Sequence, residues 1–369
     1  MKLQMRFFVR AASMAALVSI SCLPAIVKAQ AAVDAVEQQD IQARTAWRET
    51  MHQTVAPARG CFHATYPSTF WEEVECAPAP AWRSALPLAR NREQVVGNGH
   101  DYVFGAPAGS LISLAKGSFP TVKGVTSEKS VGVAAFGDGG ILGTNEYTLQ
   151  VNTNFYLGSA ACAGYKNCVA WQQYVLSTNT PVSLTSAKLT RDTEVFIEYW
   201  LIDYGVHNGR NICPTGFIDS GEDSLGPGDD CVQNTPATLV AKGQLPITDL
   251  ASLTLSGSAS AGGTDAATVT YDGEAYTATV VNSYTDMASG WTQAEFNVFG
   301  NAGGSEADFN SSGVSITVKV AATDGSSASP TCVAPSKDDG TTGETNNLKL
   351  GSCTATGGRA PYIEFTETN

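Results

Sequence analysis

The sequence predicts an all-β protein built as an antiparallel β-sandwich, with one short helical segment near its N-terminus. From residue 95 onward Gly, Ser, Thr, Val and Ala dominate, and short alternating runs are separated by Gly, Asn and Asp, as in such a sandwich. Asp272-Gly273 stands between the alternating runs 268–271 and 274–280, which is the signal of a hairpin with a type I′ turn. Residues 33–51, rich in Ala, Glu, Gln and Arg, form the one convincing helical stretch.

The first 31 residues have the features of an export signal. Basic residues precede an apolar run over 11–27, and Ala29-Gln30-Ala31 supplies a small-x-small cleavage site. Because Pro24 interrupts the run, a signal peptide is favoured over a membrane anchor. We therefore expect a secreted protein, extracellular or periplasmic, that is soluble once the signal has been removed.

A proline-rich tract separates the N-terminal part of the chain from the β-rich remainder. The helical stretch is followed by a loop between Cys61 and Cys76 and by Ala77-Pro-Ala-Pro-Ala, a composition typical of an extended spacer. The predicted organisation is a signal peptide over 1–31, an N-terminal extension or prosegment over 32–94, and a β-sandwich domain over 95–369. The composition leaves open whether the extension is removed.

The charge balance is strongly acidic. The chain has 22 Lys and Arg against 35 Asp and Glu, and four of the basic residues lie in the predicted signal, so the mature net charge is −17. This balance disfavours nucleic acid, whose phosphates need basic partners. It suits an acidic medium, where protonation of carboxylates lowers self-repulsion, although a generic acidic secreted protein has the same composition.

Eight cysteines remain after the predicted signal, in four near-neighbour pairs. An even count in an exported chain indicates disulfides, and proximity favours the pairs Cys61–Cys76, Cys162–Cys168, Cys213–Cys231 and Cys332–Cys353. A metal site is disfavoured because no pair has C-x2-C spacing and the four histidines are scattered. We therefore expect neither a metal nor a cofactor.

Several predicted strands have one apolar and one polar row, because successive strand residues point to opposite faces. If the polar rows share one sheet, its open face is a groove that contains Gln150, Asn152, Gln172, Glu198, Glu295 and Asn297. The aromatic walls of this groove would be Tyr174, Phe196 and Trp200. Carboxylates, amides and aromatics together suit a polymer, either peptide or sugar, although the solvated face of any sandwich is polar.

The order of these motifs resembles the eqolisin-type glutamic peptidases. Ala294-Glu-Phe-Asn-Val298 resembles the family's Ala-Glu-Trp-Ile-Val, which holds its catalytic glutamate. Gln172-Gln-Tyr-Val175 resembles Gln-Thr-Gly-Val, which starts with the catalytic glutamine, and Ile197-Glu-Tyr-Trp200 resembles Tyr-Glu-Trp-Tyr. The likeness covers residues 145–320. It departs at Phe296, which replaces a tryptophan, and at 149–152, which lacks the tryptophan of the family's Trp-Val-Gly-Ile-Asp.

The resemblance implies a concanavalin-A-like sandwich and a secreted acid endopeptidase. Its catalytic pair would be Gln172 and Glu295, with Glu198 as an auxiliary carboxylate. Glu295 would take a proton from the attacking water, and the carboxamide of Gln172 would donate a hydrogen bond to the oxyanion. We therefore expect both side chains to point into one groove, with Trp171 and Phe296 on the opposite, buried face.

Two other functions stay open at the level of the sequence. The sandwich could bind carbohydrate without catalysis, or Glu198 and Glu295 could be the paired carboxylates of a glycoside hydrolase. A serine hydrolase is disfavoured because the G-x-S-x-G pattern does not occur. The expected partner is a polypeptide substrate, bound by a monomer that contacts neither nucleic acid nor, after signal cleavage, a membrane.

Overall fold

The computed structural model describes residues 23–81, 101–134, 139–181, 188–206, 212–222, 227–281, 284–334 and 344–369. Most of the predicted signal peptide lies outside these ranges. One α-helix, α1 (Leu23–Gln53), begins the described part. The described residues include no helix long and apolar enough to cross a bilayer. The chain divides into two compact units, Met1–Ala46 and Trp47–Asn369.

Twenty-two strands follow the helix among the described residues. Their bounds are β1 (Gly60–Thr65), β2 (Glu72–Val74), β3 (Val103–Gly105), β4 (Leu114–Lys123), β5 (Glu128–Gly132), β6 (Gly143–Thr144), β7 (Tyr147–Thr153), β8 (Val169–Ser177), β9 (Thr193–Tyr204), β10 (Ile218–Glu222), β11 (Asp229–Asn234), β12 (Thr238–Ala241), β13 (Thr254–Ser258), β14 (Thr264–Tyr271), β15 (Glu274–Val281), β16 (Gln293–Gly300), β17 (Ser305–Phe309), β18 (Ser315–Thr323), β19 (Thr331–Val333), β20 (Thr345–Asn346), β21 (Lys349–Thr356) and β22 (Tyr362–Thr368).

Two large antiparallel sheets contain most of these strands. Sheet A has the order β2-β1-β15-β14-β13-β4-β18-β22-β21, and sheet B has the order β10-β11-β9-β8-β7-β16-β3-β19, with β12 also paired to β9. A small sheet has the order β20-β17-β5-β6. The predicted all-β antiparallel sandwich with an N-terminal helix is therefore confirmed. The predicted hairpin is also present as β14–β15, with Asp272 and Gly273 at positive φ in its turn.

The main core lies between the inner faces of the two large sheets. Sheet B contributes alternate apolar residues such as Leu149, Ile197 and Phe296, and sheet A contributes residues such as Leu255 and Val318. These side chains are fully buried. The alternation read from the sequence therefore places one row of each strand in the core and the other row on the outer face.

Two strands that precede residue 95 belong to sheet A. Strand β1 pairs with β15 along its whole length, from Gly60 opposite Thr279 to Thr65 opposite Glu274, and β2 pairs with β1. The predicted extension over 32–94 therefore supplies part of a main sheet. Removal of the whole extension would remove the edge strands β1 and β2 from sheet A.

All four predicted disulfides are confirmed. The bridges are Cys61–Cys76, Cys162–Cys168, Cys213–Cys231 and Cys332–Cys353. The last of these joins β19 of sheet B to β21 of sheet A, so it ties the edges of the two sheets together.

Two glycines on adjacent strands of sheet A receive aromatic rings from sheet B. A methyl group at Gly257 on β13 would overlap the ring of Tyr174, and one at Gly117 on β4 would overlap the ring of Phe296. Neither glycine has positive φ, so the requirement for glycine comes from the close approach of the rings. These two contacts fix which residues of β8 and β16 point inward.

We expect Gly257→Ala to destabilise the protein by about 1–3 kcal/mol, the usual cost of overpacking a core. Denaturant unfolding measures the change. Gly263→Ala, directly before β14, is the matched control. The added methyl group would meet only Ser260, at 3.0 Å or more. Equal stability of the two variants would contradict the role given to the contact between Gly257 and Tyr174.

Candidate functional site

A row of polar side chains crosses four adjacent strands on the outer face of sheet B. Glu295 on β16 lies opposite Asn152 on β7, Asn152 lies opposite Gln173 on β8, and Gln173 lies opposite Glu198 on β9. Residues directly opposite on paired strands share a face. We call these four residues, Glu295, Asn152, Gln173 and Glu198, the polar row. All four are fully buried.

Hydrogen bonds join the polar row from end to end. Asn152 donates from Nδ2 to Glu295 Oε2 at 2.7 Å and accepts at Oδ1 from Gln173 Nε2 at 3.1 Å. Trp200 Nε1 lies 3.2 Å from Gln173 Oε1 and 2.9 Å from Glu198 Oε1, and donates to both. Each amide is therefore held in one orientation by a donor and an acceptor, which preorganises the site.

Gln150 lies two residues before Asn152 on β7, on the same face, and links the polar row to a further carboxyl group. Its Oε1 accepts from Gln173 Nε2 at 3.0 Å, and its Nε2 donates to the carboxyl group of Glu344. Glu344 directly precedes β20, far along the chain from the other members. The site therefore combines four strands of sheet B with a segment close to the C-terminus.

Several buried carboxyl groups around the row have raised pKa values. Burial, followed by the negative charge of Glu295, raises the pKa of Asp101 well above its usual range. Burial also raises the pKa of Glu344 well above normal, and the charges of Glu198 and Glu295 add to this effect against the hydrogen bond from Gln150. Burial raises the pKa of Glu367 to about 8, although hydrogen bonds from Asn297 and Asn346 oppose the shift. Burial thus favours the protonated form of each group, and Glu367, with its pKa near 8, favours it at neutral pH.

Apolar clusters border the polar row at both ends of the strands. On one side Val175 and Phe196 pack with Ala237, Ala302 and Ala77. On the other side a second cluster contains Phe155, Trp171, Trp200 and Val232. The polar groups are therefore enclosed between two apolar surfaces, which strengthens electrostatic interactions among them.

The structure corrects the predicted position of Gln172. Its side chain points into the core, where Nε2 donates to Tyr174 Oη at 2.8 Å and to Asp265 Oδ2 at 3.0 Å. Its Oε1 accepts from Thr285 Oγ1 at 2.6 Å. The expectation that Gln172 and Glu295 share one groove is wrong, and Gln173 takes the position on the outer face.

The packing of Tyr174 explains this error. The sequence-based groove included Tyr174 and placed Trp171 in the core, but the structure reverses them. Tyr174 packs over Gly257, stacks on Trp291 with ring centroids 5.6 Å apart and donates from Oη to the carbonyl oxygen of Ser258. Trp171 packs against Phe155 on the outer face. The predicted alternation was correct, and the choice of the inward row on β8 was wrong.

The remaining predicted residues fall on the expected side of sheet B. Those on the outer face are Gln150, Asn152, Phe196, Glu198, Trp200 and Glu295, while Phe296 lies in the core as predicted. Asn297 lies opposite Gln150, but its side chain donates to Glu367 Oε1 at 2.9 Å. Phe196 and Trp200 are fully buried and do not form open groove walls.

Two members of the site were not found from the sequence. Asp101 lies just before β3, and Glu344 precedes a strand of two residues, so neither belongs to a long alternating run. Gln173 was visible as one of two adjacent glutamines. Only the packing of Tyr174 distinguishes it from Gln172. The described ranges contain no group of three or more His, Cys, Asp or Glu placed to hold a metal ion.

Comparison with known proteins gives little further information. No protein-family model matches the chain, and no curated protein matches it. A crystal structure of scytalido-glutamic peptidase with a transition state analog inhibitor is similar over 73% of this chain and 98% of that chain, with 11% sequence identity and a TM-score of 0.25. A likeness of this size does not assign a function, which has to be argued from the contacts of the chain itself.

The raised pKa values predict that the protein is more stable in acid. Burial, with the charges of Glu146 and Asp308, raises the pKa of Glu128 in the small sheet from 4.5 to about 8, as burial does for Glu367. The folded protein therefore holds protons that the unfolded chain releases between about pH 4.5 and 8, so stability falls as pH rises through this window.

We expect the free energy of unfolding to be lower at pH 8 than at pH 5 by at least about 1 kcal/mol, since one pKa unit corresponds to 1.36 kcal/mol. Denaturant titration at the two pH values measures the difference. Glu128→Gln, a neutral isostere of the protonated acid, should reduce it, whereas the exposed control Glu72→Gln should not. A protein that is more stable at pH 8 would contradict the assignment.

Proposed function

We propose that this chain is an acid endopeptidase in which Glu295 and Gln173 act on the scissile peptide bond. The observation that carries the proposal is the polar row, which places a carboxylate and a carboxamide on one face of sheet B and joins them through Asn152. The chemistry matches the hydrolase predicted from the sequence, with Gln173 in place of Gln172.

Each member of the pair has one chemical task in this proposal. Ionised Glu295 takes a proton from a water molecule as the water oxygen attacks the carbonyl carbon. The amide of Gln173 exchanges one of its two hydrogen bonds, to Gln150 or to Asn152, for the substrate. It then donates to the carbonyl oxygen, which becomes an oxyanion. Glu295 then returns the proton to the leaving nitrogen as the C–N bond breaks. Both groups end the cycle as they began it.

The arrangement gives less support to the two carbohydrate hypotheses. Asn152 and Gln173 lie between Glu198 and Glu295 in the polar row, whereas the two carboxyl groups of a glycosidase face each other across the scissile bond. A sugar-binding surface needs accessible aromatic faces, but Trp171, Phe196 and Trp200 pack within apolar clusters of the chain itself. Hydrolysis of a peptide bond therefore fits the site better.

The proposed activity requires that the polar row be uncovered. Its four residues have no exposed surface, and Ala77 of the extension packs against the apolar cluster that contains Val175 and Phe196 on the same face. The backbone of this segment is also held, since Ala77 exchanges two hydrogen bonds with Ala237. Displacement or removal of the segment around Ala77 would open the apolar border of the site to a substrate.

The central test compares the two adjacent glutamines. Gln173→Ala should lower turnover of acid-denatured casein about 100- to 1,000-fold, the usual effect of removing one oxyanion donor, and Glu295→Gln should abolish it. Turnover is measured between about pH 3 and 7 after incubation in acid, with polysaccharides as a parallel substrate.

Gln172→Ala is the matched control for Gln173→Ala. It removes interior hydrogen bonds to Tyr174, Asp265 and Thr285, so it should reduce stability by about 1–3 kcal/mol. Its turnover per folded molecule should stay close to that of the unchanged protein. An inactive Gln172 variant beside a fully active Gln173 variant would overturn the assignment.

Asn152→Asp tests the link between the two proposed catalytic groups. The change replaces the donor to Glu295 with a carboxylate, and a negative neighbour raises the pKa of a carboxyl group. Because Glu295 must be ionised to act as a base, the acid limb of the kcat/KM profile should move to higher pH. Asn152→Ala, which adds no charge, should lower the rate with a smaller shift. An unmoved acid limb in Asn152→Asp would exclude Glu295 as the base.

A further inference from the structure

The C-terminal end of α1 packs on the outer face of sheet A, opposite to the face that forms the core. We call residues 47–53 the helix end. Trp47 and Met51 are buried against Ala64 and Ala275, and Trp47 donates from Nε1 to the carbonyl oxygen of Ser68 at 2.6 Å. The helix end is thus docked by a small apolar cluster and a few polar contacts.

His52 is the polar centre of this contact. Its ring is buried, with Nδ1 2.7 Å from Ser256 Oγ and Nε2 3.1 Å from Thr270 Oγ1. A neutral imidazole satisfies both contacts, because one ring nitrogen donates and the other accepts while each hydroxyl turns to match. The two hydroxyls lie on β13 and β14, so one side chain connects the helix end to two strands.

The charges around His52 are mainly positive. Arg48 approaches from the same helix and Lys116 from β4, and both disfavour a charged imidazole. Arg359 lines the cavity of about 410 Å³ beside His52. The nearby carboxylate, Glu49, is engaged by Lys116, and β13 and β14 present the hydroxyls of Ser256 and Thr270. In the described part of the chain, the hydrogen-bond contacts of His52 include no carboxylate.

We propose that His52 makes the docking of the helix end sensitive to acid: the helix end is held on sheet A while the imidazole is neutral, and loosens when His52 takes up a proton. This inference is independent of the proposed peptidase activity. It concerns the opposite face of the sandwich and a segment that lies within the predicted N-terminal extension.

The direction of the effect follows from the two states of His52. In the docked state burial, followed by the charges of Lys116 and Arg48, holds the pKa of His52 well below its usual 6.5. When the helix end undocks, the ring meets water and takes up a proton below about pH 6.5. Acid therefore favours the undocked state, by up to about tenfold for each pH unit below 6.5.

Release of the helix end would expose a hydroxyl-rich surface. Ser256 and Thr270 would lose their ring partner, and the cavity beside the helix is lined by further hydroxyls, including Ser258, Thr268 and Thr277. The helix end directly precedes the segment that leads into β1. Acid would thus make this part of the chain more accessible to cleavage.

Hydrogen–deuterium exchange of the full chain tests the proposal. Protection of the peptide that spans 47–53 is compared at pH 7.5 and pH 5.0, after correction for the intrinsic effect of pH on exchange. We expect protection to fall at least about tenfold at pH 5.0, while protection of β7 and β16 does not fall. A helix end with equal protection at both pH values would overturn the proposal.

Two variants separate His52 from other causes. His52→Gln keeps a donor and an acceptor but cannot gain a charge, so the difference between the two pH values should disappear even if overall protection is lower. His63→Gln is the control, because His63 lies on β1, outside the helix end. Its Nε2 lies 2.6 Å from Glu274 Oε2. If the pH difference survives in His52→Gln, or disappears in His63→Gln, His52 is not the responsible group.

Discussion

The close approach of two aromatic rings to two glycines determines where the polar chemistry of this protein lies. Tyr174 and Phe296 of sheet B pack over Gly257 and Gly117 on neighbouring strands of sheet A. Because strand residues alternate between faces, an inward Tyr174 places Gln173 outward, and an inward Phe296 does the same for Glu295. The inter-strand register then aligns these residues with Asn152. The polar row is thus a consequence of core packing.

Local patterns in the sequence predicted much of this architecture. The turn at Asp272-Gly273 needs only its own residues, and cysteines close in sequence needed no information about the fold, so both predictions were confirmed. The inward row of β8 was not decided by the strand itself, since Trp171 and Tyr174 compete for the core. The deciding contact, Gly257, lies more than 80 residues away.

Contacts between distant segments account for the other differences. Asp101 and Glu344 reach the site from short or irregular segments, where alternation carries no signal. Strand β1 precedes a proline-rich tract whose composition is typical of a linker. The pairing of β1 with β15 nevertheless makes β1 part of sheet A. A change in amino-acid composition marks a candidate domain boundary. Whether a strand joins a sheet depends instead on which edge strand of that sheet is open for pairing. The extension therefore has a structural role that its composition did not indicate.

The two faces of the sandwich respond to acid in opposite directions. Around the polar row, burial raises the pKa values of Asp101, Glu344 and Glu367, so protonation in acid stabilises the folded arrangement there. On sheet A, burial and nearby cations lower the pKa of His52, so protonation weakens the docked helix end. As the pH falls below 6.5, the free energy of unfolding of the sandwich therefore rises, while the docking of the helix end weakens. Local exchange at 47–53 and global unfolding should consequently show opposite dependences on pH, a combination that uniform acid stabilisation or uniform acid denaturation cannot produce.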